Sequence, residues 1–181
     1  MRREHLAHLL RAASRVVDRR DLLVVGSQSV LGTWDEEALP EAAIVSLEAD
    51  LAVFDDPDGE LADRISGAIG ELSSFDQSFG YHADGVGLET AILPAGWQER
   101  LIVFDPPDAE PGRGLCLEPH DCVVSKLVAG RPKDRAFAEA LIDARLVDPR
   151  ILLGRIELLD DRVHAGDRDR LRAWVRARPR R

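Results

Sequence analysis

The chain predicts an α/β or α+β fold, a mixed sheet flanked by helices with a helical stretch after it. Short apolar runs end at glycine or proline, amphipathic segments of helical period lie between them, and after Pro119 only helical patterns follow. The length of 181 residues suits one domain, and 45% hydrophobic residues can bury a core. The expected organisation is an α/β core over 1–118 and a helical C-terminal subdomain over 119–181, packed together as a single compact unit.

Leu6, Leu9, Leu10, Ala13, Val16 and Val17 recur at helical spacing, which predicts an amphipathic helix over 2–18. Leu22-Leu23-Val24-Val25 reads as a buried strand stopped by Gly26, and a loop with a short helical piece runs through Gly32 to Pro40. A second strand is expected from Val45 to Phe54, and a helix from Gly59 to Leu72 through Leu61, Ile65 and Ile69. Val86 to Leu93, the Pro94-Ala95-Gly96 turn and Glu99 to Phe104 suggest a hairpin, with a last short strand at Leu115 to Leu117. Pro119 opens a helix that Gly130 stops, Pro132 opens another to about Arg145, Asp148-Pro149 a third, and Gly166-Asp167 an arginine-rich fourth.

Composition excludes several classes. No run approaches 18 apolar residues, so no membrane helix is expected and the chain reads as cytoplasmic. Cys116 and Cys122 stand outside any metal-binding pattern and are expected as buried thiols. His82, His120 and His164 lack zinc-ligand spacing. Trp34, Trp97 and Tyr81 lie beside turns, where packing is the expected role. The net charge of −9 is uneven: Arg162 to Arg181 carries +6 and the rest −15. The basic segment is either a solvated helix or a phosphate-binding arm, with Leu171, Trp174 and Val175 pinning Arg168, Arg172 and Arg176 outward.

Four features carry chemistry. Gly26-Ser27 ends a buried strand before a helical turn, where backbone can approach an anion. Alternation sets Glu48 and Asp50 on one face of their strand, and two carboxylates there call for solvent or a hard cation such as Mg²⁺. Glu89, in the expected Val86–Leu93 strand, would be a third carboxylate if that strand is a neighbour. Lys126, Arg131 and Lys133 bring cations to a helix break that Asp134 caps, a set suited to a triphosphate or to ordinary capping.

Gly26-Ser27, Glu48-x-Asp50 and Lys126-Leu127-x-Ala129-Gly130-Arg131-x-Lys133-Asp134 together resemble the nucleotidyltransferase superfamily of the DNA polymerase β type, and more narrowly the small AbiEii- and MenT-type toxins. That resemblance implies a nucleotidyltransferase-like sheet and transfer of a nucleoside monophosphate from an NTP to an acceptor hydroxyl. By it, Gly26, Ser27, Lys126, Arg131 and Lys133 would bind nucleotide and Glu48, Asp50 and Glu89 would hold one or two Mg²⁺. Lys126 and Asp134 would act with the carboxylates in catalysis. It further implies the 3′ end of tRNA as acceptor, seated on the arginine-rich helix, and an antitoxin as partner. Glu48 stands where such proteins usually have Asp, and 20 residues separate it from Ser27. A catalytically silent RNA- or protein-binding module and a transferase acting on a small molecule of aminoglycoside type therefore remain alternatives.

Overall fold

The computed structural model describes residues 1–178. Arg180 and Arg181, the last arginines of the basic segment, lie outside the described residues. Helix α1 (Arg3–Val17) buries Leu6, Leu9, Leu10, Ala13 and Val17, the stripe the sequence predicts, and ends at Asp18 in a left-handed conformation. Strand β1 (Asp21–Val25) follows, then a 3₁₀ segment at Ser27–Gly32 and the short helix α2 (Glu41–Ile44). The remaining strands are β2 (Glu48–Ala52), β3 (His82–Gly85), β4 (Ile102–Phe104) and β5 (Arg113–Cys116). They form a mixed sheet in the order β3-β2-β1-β5-β4, so β2 is interior. β1 pairs antiparallel with β2 and parallel with β5, β2 parallel with β3, and β4 antiparallel with β5.

One face of the sheet is apolar. Leu22, Val24, Ala49, Leu51 and Ala83 are fully buried on it. α1 and α3 (Glu60–Ile69) cover this face so closely that a Cβ on Gly114 would lie 3.0 Å from Leu10 Cδ1, and one on Gly85 would lie 1.9 Å from the Ala62 carbonyl oxygen. Helix α4 (Ser74–Phe79), capped by the Ser73 hydroxyl, leads into β3. Beyond the sheet come α5 (Pro119–Ala129), α6 (Pro132–Asp143), α7 (Pro149–Glu157) and α8 (Ala165–Arg176), the first three opened by proline as expected. Val123, Val124 and Leu127 of α5 share the hydrophobic core with the strands.

Two expected elements are replaced. The predicted strand Val86–Leu93 is a loop with one 3₁₀ turn at Leu88–Thr90, and the strand at that place in the sheet is β3, which lies earlier in the chain. The predicted hairpin is also absent: Trp97–Arg100 is a 3₁₀ turn, and the segment after it forms β4 at the opposite edge of the sheet from β3. Gly85 passes tightly against α3, and after the Val86 amide bonds the Leu51 carbonyl at 2.8 Å the chain leaves the sheet.

Candidate functional site

The site is built on the sheet face opposite α1 and α3. The register sets His82 beside Glu48 and Asp84 beside Asp50, so two aligned triplets, Glu48-Ala49-Asp50 and His82-Ala83-Asp84, project four polar side chains on one face. Ala49 and Ala83 fill the other face with no exposed surface. Across β1, Asp50 is level with Val25, one residue before the Gly26 turn. Gly26 takes φ +70°, and a Cβ there would lie 2.0 Å from Asp50 Oδ2. The Gly26 carbonyl accepts hydrogen bonds from Ser29 Oγ at 2.8 Å and from the thiol of Cys122 at 3.1 Å, which fastens the turn to α5. Ser27 Oγ accepts a 3.3 Å bond from Gln28 Nε2.

The crowding of carboxylates acts on Asp50. Burial first, then the Glu48 charge, push the Asp50 carboxyl from 3.8 up to about 6, against the opposing pull of Lys126. Lys126, mostly buried on α5, lies 3.7 Å from Asp134 Oδ1. Asp134 is buried at the first turn of α6; its Oδ2 accepts from Arg131 Nε at 2.7 Å and from the Arg131 backbone, and its Oδ1 from Arg131 Nη2 at 3.1 Å. Burial raises the Asp134 carboxyl, but the Arg131 and Lys126 contacts outweigh it and hold it below the ordinary range. Two clefts meet at this ridge. Ser27, Ser46, Glu48 and Lys133 line one, Val86, Thr90, Leu117 and Ser125 line the other, and Asp50, Lys126 and Arg131 border both.

Gly26, Ser27, Glu48, Asp50, Lys126, Arg131, Lys133 and Asp134 thus gather as expected, although they come from the 3₁₀ segment after β1, from β2, and from α5 and α6 with the break between them. Glu89 does not join them. It is exposed on the 3₁₀ turn, and its carboxylate folds back over Gly87 of its own loop. Asp84 occupies the third carboxylate position, because β3 and not the later segment pairs with β2. Among the described residues, Glu48, His82 and Asp84 can bring one ligand atom each within 4.8 Å of one another. The sequence pattern does not single out Asp84, and it sets His82 aside for want of zinc-ligand spacing; the signal is the repeated x-Ala-Asp triplet, hidden by the shortness of a strand that ends at glycine. Cys116 and Cys122 are the expected buried thiols, and burial pushes them up to about 12 and about 11.

The basic helix is arranged differently from expectation. Val175 is buried and Trp174 half-buried, as the apolar stripe requires, but the arginines are not all aimed at solvent. Arg172 holds Glu157 of α7 with Nε and Nη2 at 2.7 and 2.8 Å and Asp169 with Nη1 at 2.6 Å. Arg168 donates to the Val163 and Asp160 carbonyls. Arg178 pairs with Glu139 of α6 and stacks on Trp174, and Arg176 is exposed. Nearby carboxylates and carbonyls thus partner Arg168 and Arg172, and Arg176 is the outward one of the three.

Residues 4–173 match the family described as a nucleotidyltransferase of unknown function (DUF6036), and the chain belongs to that family. No curated protein and no solved structure matches the chain. Among the described residues no helix is long and apolar enough to cross a membrane.

Proposed function

We propose that this member of a nucleotidyltransferase family moves a nucleoside monophosphate from an NTP to an acceptor hydroxyl. The observation that carries the reading is the gathering of Glu48, Asp50 and Asp84 on one sheet face against the Gly26-Ser27 turn, with Lys126 and Arg131 at the same cleft. In the proposed step the acceptor oxygen attacks the α-phosphorus, the bond from that phosphorus to the bridging oxygen breaks, and pyrophosphate leaves with the bonding electrons. The acceptor proton passes to the Asp50 carboxylate, which lines the cleft on both sides of the ridge.

The turn amides and the Ser27 hydroxyl face the triphosphate, and Lys126, Arg131 and Lys133 neutralise it. Asp134 holds Lys126 and Arg131 at the cleft by the contacts described above. The oxygen donors of Glu48, Asp50 and Asp84 fit Mg²⁺, which would supply charge neutralisation at the reacting phosphate. Glu48 is one methylene longer than Asp, yet it lines the same cleft as Asp50, so the longer side chain still reaches the centre.

For the acceptor we propose the 3′ end of tRNA, and with it the role of a toxin held in check by an antitoxin. This rests on the likeness of the Lys126–Asp134 run to AbiEii- and MenT-type proteins. A small cationic acceptor of aminoglycoside type is the second reading, favoured by the acidic platform and by the internal pairing of Arg168 and Arg172. The test is incubation with each radiolabelled NTP and Mg²⁺, with total tRNA or with an aminoglycoside panel, beside Asp50→Ala. Label on tRNA that vanishes in the variant supports the first acceptor, and label on the small molecule supports the second. No transfer together with no NTP binding would overturn the enzyme reading and leave a silent binding module.

A further inference from the structure

We infer that Glu48, His82 and Asp84 form a mixed nitrogen and oxygen cation site, which takes a divalent transition ion of the Mn²⁺ class. The inference rests on the reading that this sheet face binds cations, shares Glu48 and Asp84 with the set described above and adds His82 to it, and does not rest on nucleotidyl transfer. Glu48 and His82 are register partners on β2 and β3, and Asp84 follows His82 on the same face. Their ligand atoms already lie within 4.8 Å of one another. Donors about 2.1 Å from a shared ion stand roughly 3–4 Å apart, so rotation of the side chains closes the set.

An independent feature singles out the imidazole. His82 Nδ1 lies 3.2 Å from Asp76 Oδ1, and Asp76 belongs to α4 rather than to the sheet. Asp76 is itself held: its Oδ2 accepts from the Leu72 amide at 3.0 Å, and its own amide donates to Ser73 Oγ at 3.1 Å. A carboxylate on Nδ1 keeps the proton on that atom and leaves the lone pair of Nε2 free, which is how metal-binding imidazoles are oriented. An imidazole ligand suits transition ions, and Mn²⁺ also takes the carboxylate oxygens that make up the rest of this set, whereas Mg²⁺ favours oxygen alone.

The test uses the full chain loaded with Mn²⁺ and no nucleotide. Pulsed electron paramagnetic resonance of the bound ion is expected to show nitrogen coupling from one imidazole. His82→Gln should abolish that coupling and weaken Mn²⁺ binding about tenfold or more. Asp76→Asn should weaken binding by about 10- to 100-fold while the coupling stays. The wild-type spectrum decides the matter even if a variant fails to fold. Bound Mn²⁺ in an all-oxygen environment would overturn this inference and leave the transferase reading standing. No Mn²⁺ binding at all would overturn it too, and transfer of label in the NTP assay would then show whether the transferase reading survives.

Discussion

A Cβ on Gly26 would stand 2.0 Å from Asp50 Oδ2, so turn and carboxylate occupy adjoining space with no room for a side chain between them. That approach joins the end of β1 to the middle of β2 and brings the Gly26-Ser27 turn beside the acid it would serve. It also depends on a φ of +70° that other residues adopt only with strain.

Gly26→Ala should therefore lower stability by about 1–3 kcal/mol and reduce transfer at least tenfold. Thermal melting and the labelling assay measure the two effects. Wild-type activity in the variant would contradict the close approach.

Asp50 gives a pH-dependent prediction. Its folded carboxyl binds a proton more tightly than an unfolded one, so its contribution to stability is present below pH 3.8 and is lost as pH rises through about 6. Without divalent cations at pH 7.5, Asp50→Asn should be more stable than wild type by on the order of 1–3 kcal/mol, with the difference shrinking towards zero below pH 4. The same variant should lose transfer at least a hundredfold. A lower melting temperature than wild type at pH 7.5 would refute the proposed burden of the ionised acid.

Asp121 on α5 is fully buried between Arg100, whose Nε lies 2.7 Å from Oδ2, and Arg155 of α7, whose Nε lies 2.9 Å from Oδ1. Burial raises this carboxyl and the two guanidiniums oppose the rise. Asp121→Ala leaves both arginines without their shared anion and should cost about 3–5 kcal/mol in urea unfolding. A loss under about 1 kcal/mol would mean that water replaces the carboxylate.

Arg172 makes the opposite case, since Glu157 and Asp169 are both more than half exposed. Arg172→Ala should cost less than about 1 kcal/mol and leave NTP binding unchanged. If tRNA is the acceptor, Arg176→Ala should weaken it more than Arg172→Ala does, most visibly at low salt. Equal losses of RNA affinity would show that phosphate displaces the Arg172 ion pairs.

Legibility differed from element to element. The helix openings at Pro119, Pro132 and Pro149 were readable because proline fits a first turn, and the stop at Gly130 because it takes φ +69°. Glu48 and Asp50 could be placed on one face by strand alternation alone. β3 is not legible in the sequence, because four residues containing histidine, aspartate and glycine carry no apolar period. The apolar Val86–Leu93 stretch took its place in expectation, and Glu89 went with it.

Local pattern thus determined the helices, the glycine turn, the carboxylate pair and the cationic run, because each depends on residues a few positions apart. Tertiary structure alone decided that Asp84 and His82, not Glu89, stand beside that pair, since the hydrogen-bonded partner of β2 is chosen by packing between residues 34 positions apart in the chain. It also decided that Arg168 and Arg172 face carbonyls and carboxylates of neighbouring segments, because a charge within reach of an acid on an adjacent helix is held there at little cost in water.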